Sequence, residues 1–97
     1  SVTATSAAPD VSQHPFLVCT RRRESGGNYA VVSASGTYRG AYQFSRSTWD
    51  STARHAGRLD LVGVDPAAAS PADQDAMALH LYGWQGARPW LGRCAGL

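Results

Sequence analysis

A pattern of residues at helical spacing, which opens with two hydrophobic positions, predicts a first helix near the start of the chain. The positions at this spacing are Phe16, Leu17, Thr20 and the neighbouring pair Arg23 and Glu24. Pro15 stands just before them, and proline is tolerated at the first position of a helix. Gly26 and Gly27 end the pattern, as a left-handed C-terminal cap does. The predicted helix therefore ends just before the two glycines, and Glu24 lies in its last turn.

Two further helices are predicted from the same kind of pattern. Ser45 can cap the second helix, and Gly57 closes it. Ser70, followed by a proline, begins the third helix, and Gly83 and Gly86 break it. The apolar positions of the second helix are Trp49, Thr52, Ala53 and Ala56, and those of the third are Met77, His80, Leu81 and Trp84.

Residues 29–44 show a different pattern. β-Branched and aromatic residues lie on both sides of Ala34-Ser35-Gly36, which predicts a short, irregular β-hairpin or β-like loop after the first helix. The expected fold class is therefore α+β and mainly helical. Residues 1–13 are rich in Ser, Thr, Ala and Pro, and we expect them to be a flexible lead-in to a domain that spans residues 14–97.

The length and the cysteines constrain the class of protein. The chain has 97 residues, which makes one domain near the small end of what buries a self-sufficient core. Its cysteines, Cys19 and Cys94, are too far apart for a CxxC metal or redox pair, which leaves a disulfide or two buried thiols. We expect the disulfide, which would contribute about 4 kcal/mol through chain entropy. A disulfide indicates an oxidising, extracytoplasmic location.

The charge pattern excludes several classes of partner. The formal net charge is +2, and the nine arginines are dispersed apart from Arg21–Arg23, so we expect no nucleic-acid binding. A weak positive balance suits an anionic polymer such as a cell wall. No apolar run approaches the ~20 residues of a membrane helix, and the small, polar residues 1–8 are typical of a mature or trimmed start. His14, His55 and His80 do not cluster in sequence, so we expect no metal or other cofactor, with His80 a satisfied core residue.

Glu24 is the one glutamate of the chain, since the other six acids are aspartates. At the end of a helix, the dipole and partial burial disfavour the ionised carboxylate, whereas Arg21–Arg23 favour it. The alternative interpretation is a helix-terminal surface acid beside three arginines.

The hairpin region that follows supplies Tyr38, Tyr42 and Gln43. A carboxylic acid beside aromatic and amide side chains suits a carbohydrate, and such an acid can protonate a glycosidic oxygen.

Three linked motifs then identify a family resemblance. The runs 24–29 (ESGGNY), 40–44 (GAYQF) and 47–49 (STW), together with Trp90 and Cys94, resemble the transglycosylase-like catalytic domain of actinobacterial resuscitation-promoting factors. The resemblance covers Pro15 to Cys94, and three motifs in order are far more specific than any one alone. It implies a lysozyme-like fold, a secreted, cell-wall-associated monomer, and cleavage of peptidoglycan glycan strands between N-acetylmuramic acid and N-acetylglucosamine.

The resemblance also implies roles for individual residues. Glu24 matches the catalytic acid/base, Thr48 and Gln85 match polar site residues, and Trp90 matches an aromatic near the cleft. Further residues at motif positions, expected to bind substrate, are Asn28, Tyr38 and Gln43. Some of these have a structural alternative, because Gln43 can satisfy hairpin backbone groups and Asn28 can turn the chain after the glycines. We expect Trp49 to be a core residue.

Two features depart from the family pattern. The resuscitation factors usually carry their first cysteine directly before the glutamate, whereas Arg23 stands there in this chain and Cys19 lies five positions before Glu24. The stretch from Leu59 to Ala72 is also longer than in compact members. Both departures indicate a sister branch, so a resuscitation phenotype does not follow.

The chemistry expected is that of a single acid. Ordinary glycosidases use two carboxylates, and the one other acid within the motif segments, Asp50, is expected to be a surface residue. Glu24 would protonate the leaving oxygen and then act as base on the muramic acid 6-hydroxyl, which attacks the anomeric carbon as a lytic transglycosylase requires. Two rivals stay open: a hydrolytic muramidase that uses Asp50 or a substrate acetamido group, and a secreted glycan-binding module without turnover.

Overall fold

The computed structural model describes residues 10–97, and three helices form its frame. They are α1 (Pro15–Ser25), α2 (Arg46–His55) and α3 (Pro71–Gln85). Two short 3₁₀ turns, Leu59–Leu61 and Arg88–Trp90, follow α2 and α3 respectively. The predicted lead-in covers residues 1–13, of which residues 1–9 lie outside the described part of the chain.

The helices begin where the sequence predicts them, because side chains cap their free N–H groups. His14 Nδ1 accepts a hydrogen bond from the Phe16 N–H, with Pro15 at the first helical position. Ser45 Oγ accepts from the Thr48 N–H, and Ser70 Oγ accepts from the Asp73 N–H. These three caps confirm the predicted starts.

The helix ends agree with prediction at two of three places. Gly26 closes α1 in the left-handed conformation (φ 66°), and Gly57 (φ 74°) follows the end of α2. The prediction that Gly83 breaks α3 is wrong, since the helix continues to Gln85 and ends at Gly86. A glycine in a helix interior costs only about 1 kcal/mol, which tertiary packing readily offsets.

The core lies between the three helices and the loop that joins α1 to α2. Its large, fully buried side chains are Phe16, Leu17, Tyr42, Trp49, Met77 and Leu81. Trp49 is a core residue as predicted, and its indole N–H donates to the Leu61 carbonyl (2.9 Å).

The predicted apolar face of α3 is only half correct. Met77 and Leu81 are buried, but Trp84 is 40% exposed, and His80 is half-buried rather than in the core. His80 lies one residue before Leu81 and three after Met77, so about 100° and about 60° separate it from these core positions around the helix, which places it at the edge of the buried face. It makes a 2.7 Å hydrogen bond to His55 at the end of α2. Two histidines that are distant in sequence thus meet in space.

Residues 29–44 form an irregular loop, and no β-strand occurs among the described residues. Two isolated antiparallel bridges, Val32 with Arg39 and Arg39 with Phe44, are what remains of the expected hairpin. Left-handed backbone at Gly36, Gly40 and Gln43 turns the chain too often for paired strands to extend.

Side chains from elsewhere hold this loop in place. The Gln74 amide, buried on α3, accepts from the Ala41 N–H and donates to the carbonyls of Tyr29 and Ala69. Arg39 makes two hydrogen bonds of 2.7 and 2.8 Å to Asp65, and the guanidinium lowers the pKa of that carboxyl to about 2.

A disulfide joins Cys19 on α1 to Cys94 near the C-terminus, which confirms the pairing expected from the sequence. Their Cα atoms are 6.0 Å apart, and 75 positions separate them along the chain. The bridge ties the segment after α3 to the helix that carries Glu24. In residues 10–97, every helix is too short or too polar to cross a membrane.

Candidate active site

Glu24 lies in the last turn of α1, as predicted, with 17% of its side chain exposed. The cation that faces it is Arg93, whose guanidinium nitrogen lies 3.5 Å from a Glu24 carboxylate oxygen. The neighbouring Arg21 points elsewhere, because it bonds the Tyr42 hydroxyl (3.2 Å) and approaches Asp75 (3.8 Å). The sequence offered a single signal for Arg93: it stands next to Cys94, whose bridge brings it to α1.

A cleft opens beside Glu24 in two adjoining lobes. The first has a volume of about 240 Å³ and is lined by Glu24, Tyr38, Gln43, Pro89, Trp90, Leu91 and Arg93. The second has a volume of about 260 Å³, and it shares Tyr38, Gln43, Pro89 and Trp90 with the first. Thr48 and Gln85 line only the second lobe. The structure thus brings together six of the seven residues proposed from the sequence.

Hydrogen bonds hold three of the cleft residues, Gln43, Thr48 and Trp90, in place. Gln43 has left-handed backbone (φ 54°), and its amide donates to the Gly40 carbonyl (2.9 Å). Thr48 lies in the first turn of α2, where its hydroxyl accepts from the capping Ser45 (2.9 Å). Trp90 is 6% exposed, and its indole N–H donates to the Tyr42 carbonyl (3.1 Å), so the ring forms a fixed wall. Tyr38 and Gln85 are exposed.

Asn28 is the seventh residue, and it does not line either lobe of the cleft. Its side-chain oxygen accepts from the Ala30 N–H (2.9 Å), which turns the chain after the glycines. This contact agrees with the structural alternative that the sequence left open for Asn28.

Asp50 also lies away from the cleft. Its carboxylate accepts from the Gly63 N–H (2.7 Å) and so holds the loop after α2. Among the described residues that line the two lobes, Glu24 is the one carboxylate.

A largely buried polar cluster contacts α1 through Arg21, three residues before Glu24. The hydroxyls of Tyr29 and Tyr42 both donate to one carboxylate oxygen of Asp75 on α3. Burial, followed by the hydrogen bond to Asp75, raises the pKa of both phenols, most strongly for Tyr42. Both tyrosines therefore stay protonated and act as donors, and Arg21 links the cluster to the turn of α1 that precedes Glu24.

Comparison with known proteins identifies close relatives. The model of the transglycosylase-like domain family matches residues 19–94. Over 81 residues the chain is 41% identical to "Probable transglycosylase SceD 3" of Staphylococcus saprophyticus, covering 84% of this chain and 32% of that protein. Over 86 residues it is 40% identical to "Probable transglycosylase SceD" of Staphylococcus aureus strain Newman, covering 89% of this chain and 36% of that protein.

The chain thus spans about a third of the length of these curated relatives. No solved structure matches it. The family match runs from one cysteine of the disulfide to the other and includes the cleft residues from Glu24 to Arg93. On this ground the chain belongs to the transglycosylase-like domain family.

Proposed function

We propose that this domain cleaves the β-1,4 bond between N-acetylmuramic acid and N-acetylglucosamine in peptidoglycan, as a lytic transglycosylase with Glu24 as its single acid/base. The observation that carries the proposal is that Glu24 alone, among the described residues lining the cleft, offers a carboxylate. Family membership and relatives named as transglycosylases support the same class of reaction. The proposal includes a lysozyme-like fold and a secreted monomer associated with the cell wall, because peptidoglycan lies outside the cell membrane.

The first step is protonation of the leaving sugar. Glu24 donates its proton to the glycosidic oxygen while the bond from that oxygen to the anomeric carbon breaks. The departing N-acetylglucosamine gains the proton as a hydroxyl. Positive charge develops on the muramic acid ring, and the Glu24 carboxylate formed in this step faces it.

The second step closes a ring within the substrate. The Glu24 carboxylate takes the proton from the muramic acid 6-hydroxyl, whose oxygen bonds to the anomeric carbon and gives a 1,6-anhydro end. Because the nucleophile belongs to the same sugar, its effective concentration is high, and no second carboxylate is needed to activate water. Glu24 ends the cycle protonated, as it began.

The other cleft residues have binding roles in this proposal. Tyr38 and Trp90 offer aromatic surface to sugar C–H groups, and Gln43, Thr48 and Gln85 offer hydrogen bonds to hydroxyl and acetamido groups. Asn28 is assigned to the turn that it caps.

Mass spectrometry of the soluble products from purified peptidoglycan tests the function. We expect anhydro-muropeptides from the wild type, and a loss of activity of at least about 10³-fold in Glu24→Gln, because the amide cannot donate or accept the proton. Asp50→Asn is the matched control, since it changes the other candidate carboxylate, and it should keep cleavage within about threefold of the wild type once folding is checked.

Three outcomes contradict the proposal in different ways. Products with reducing ends would indicate a hydrolytic muramidase. A strong loss in Asp50→Asn without a loss of folding would indicate two carboxylates. Binding of glycan strands without any product would indicate a non-catalytic module.

A further inference from the structure

The cleft beside Glu24 contains one cation as well as one anion among the described residues that line it. The Arg93 side chain is 49% exposed, whereas Glu24 beside it is 17% exposed. Their closest approach of 3.5 Å is longer than the 2.7–2.9 Å or so of a strong charge-assisted hydrogen bond. Arg93 is therefore in electrostatic contact with Glu24, yet its guanidinium is open to a second anion.

The backbone that carries Arg93 is fixed, which gives the guanidinium a defined place. Cys94, the next residue, is bridged to Cys19 on α1. The Arg93 N–H donates to the Trp90 carbonyl (3.2 Å), and the Gly92 N–H donates to the Ala87 carbonyl (2.9 Å). The side chain thus extends from an anchored segment to the edge of the cleft, where it can change partner without movement of the main chain.

The hydroxyl and acetamido groups of a glycan offer Arg93 no negative charge. Sugar hydroxyl and acetamido groups are matched by the uncharged side chains Tyr38, Gln43 and Thr48. A guanidinium, by contrast, presents parallel N–H groups that fit the two oxygens of a carboxylate. In stem-bearing peptidoglycan, the lactyl carboxyl of the muramic acid is held in the amide bond to the peptide stem. The free carboxylates therefore belong to the stem, which is attached to the sugar at the reacting bond.

We propose that Arg93 forms a subsite for a carboxylate of the peptide stem, and that it makes the domain prefer strands whose stems carry free carboxylates over strands whose stem carboxyl groups are amidated. The inference rests on the proposed function, since it names the form of the substrate that the same cleft takes. As the stem carboxylate binds, Arg93 exchanges its contact with Glu24 for a contact with the substrate. Glu24 is then free to face the glycosidic oxygen.

The decisive measurement is the ratio of kcat/KM on two substrates. One is purified glycan strands with tetrapeptide stems that bear free carboxyl groups, and the other is the same strands after the carboxyl groups of the stems have been converted to amides. We expect the wild type to prefer the first by about three- to tenfold, the range for a partly exposed charge pair. Arg93→Gln should bring the ratio close to one.

The ratio is informative because a general change in the chemistry of Glu24 affects both substrates equally and cancels. Arg88→Gln is the matched control: it removes a guanidinium from the same segment, on a residue that lines neither lobe of the cleft. It should keep the wild-type ratio. Arg93→Lys should keep part of the preference, and raised salt should reduce the preference of the wild type.

A binding measurement separates failure of this inference from failure of the proposed function. Calorimetric titration with the soluble disaccharide-peptide, with the stem carboxyl groups free or amidated, needs no turnover. A wild type that binds the form with free carboxyl groups more tightly through Arg93 but cleaves nothing would contradict the proposed function and leave the subsite standing.

The opposite results overturn the subsite. Cleavage with equal ratios in the wild type and Arg93→Gln would show that Arg93 only pairs with Glu24. Equal affinities for the two disaccharides, or no binding of either, would lead to the same conclusion. Thermal unfolding of each variant confirms that the compared proteins are folded.

Discussion

At the scale of single residues, Gly40 is the most closely packed glycine described in the loop that forms the cleft. Its backbone is left-handed (φ 84°), and a Cβ built there would lie 2.5 Å from the Gln74 side-chain oxygen and 3.1 Å from the Pro66 carbonyl oxygen. Gln74 cannot move aside without cost, because its buried amide bonds three backbone groups. Gly40 thus allows α3 to hold the loop that carries Gln43.

We predict that Gly40→Ala lowers the free energy of unfolding by more than about 2 kcal/mol, since it adds a steric clash to the cost of left-handed backbone. Gly36→Ala is the matched control. Gly36 has a similar backbone angle (φ 78°) but nothing within 4 Å of its Cβ position, so it should cost only about 1 kcal/mol. Urea unfolding of both variants measures the difference, and equal losses would argue against the close packing at Gly40.

At the scale of elements, α2 and α3 meet through aromatic side chains outside the core. The His55 ring stacks on Trp84 at a centroid distance of 3.9 Å, and its Nδ1 shares a hydrogen bond with His80 Nε2. Burial, and then the charge of His55, lower the pKa of His80 below its usual 6.5. The contact therefore favours a neutral His80.

This contact predicts a pH dependence of stability. Because the pKa of His80 is lower in the folded state, the unfolded state binds more protons, and stability falls as the pH drops from about 6.5 through the folded pKa. The melting temperature between pH 7.5 and 5.0 should decrease in the wild type and less steeply in His80→Gln. An unchanged slope in His80→Gln would contradict the assignment.

The elements also differ in how far the sequence could predict them. The three helix starts were predictable because Ser45, Ser70 and Pro15 act on neighbours within a turn. The loop at residues 29–44 was not, because Gln74 and Asp65, which hold it, come from distant parts of the chain. Helical periodicity predicted that His80 and Trp84 face the core, because both lie close to core positions around the helix. In the structure both are partly exposed.

At the scale of the whole molecule, the disulfide closes nearly the entire domain into one covalent loop. It also decides which groups meet in the cleft, since Arg93 stands beside Cys94 and faces Glu24. The sequence could predict Glu24 and most of the cleft residues from linked motifs. It could not predict the Arg93 contact, because that depends on how the last segment folds back over α1.

We predict that Cys19→Ser with Cys94→Ser lowers the free energy of unfolding by about 4 kcal/mol, because the unfolded chain gains the entropy of an open loop. The melting temperature should fall by roughly 15–30 °C for a domain of this size. Scanning calorimetry with and without a reductant measures the effect. The reductant should lower the melting temperature of the wild type toward that of the double variant, which itself should not respond. A wild type insensitive to complete reduction would contradict the prediction.

The position of the disulfide also has a mechanical consequence. A pull on the chain outside residues 19 and 94 passes from one cysteine to the other across 6.0 Å between their Cα atoms, so residues 20–93 bear no load. Of the described residues, only 10–18 and 95–97 lie outside the loop that the disulfide closes. Tension in the surroundings would therefore act on these short segments, and the chain between the cysteines, which carries the cleft residues from Glu24 to Arg93, would bear none of it.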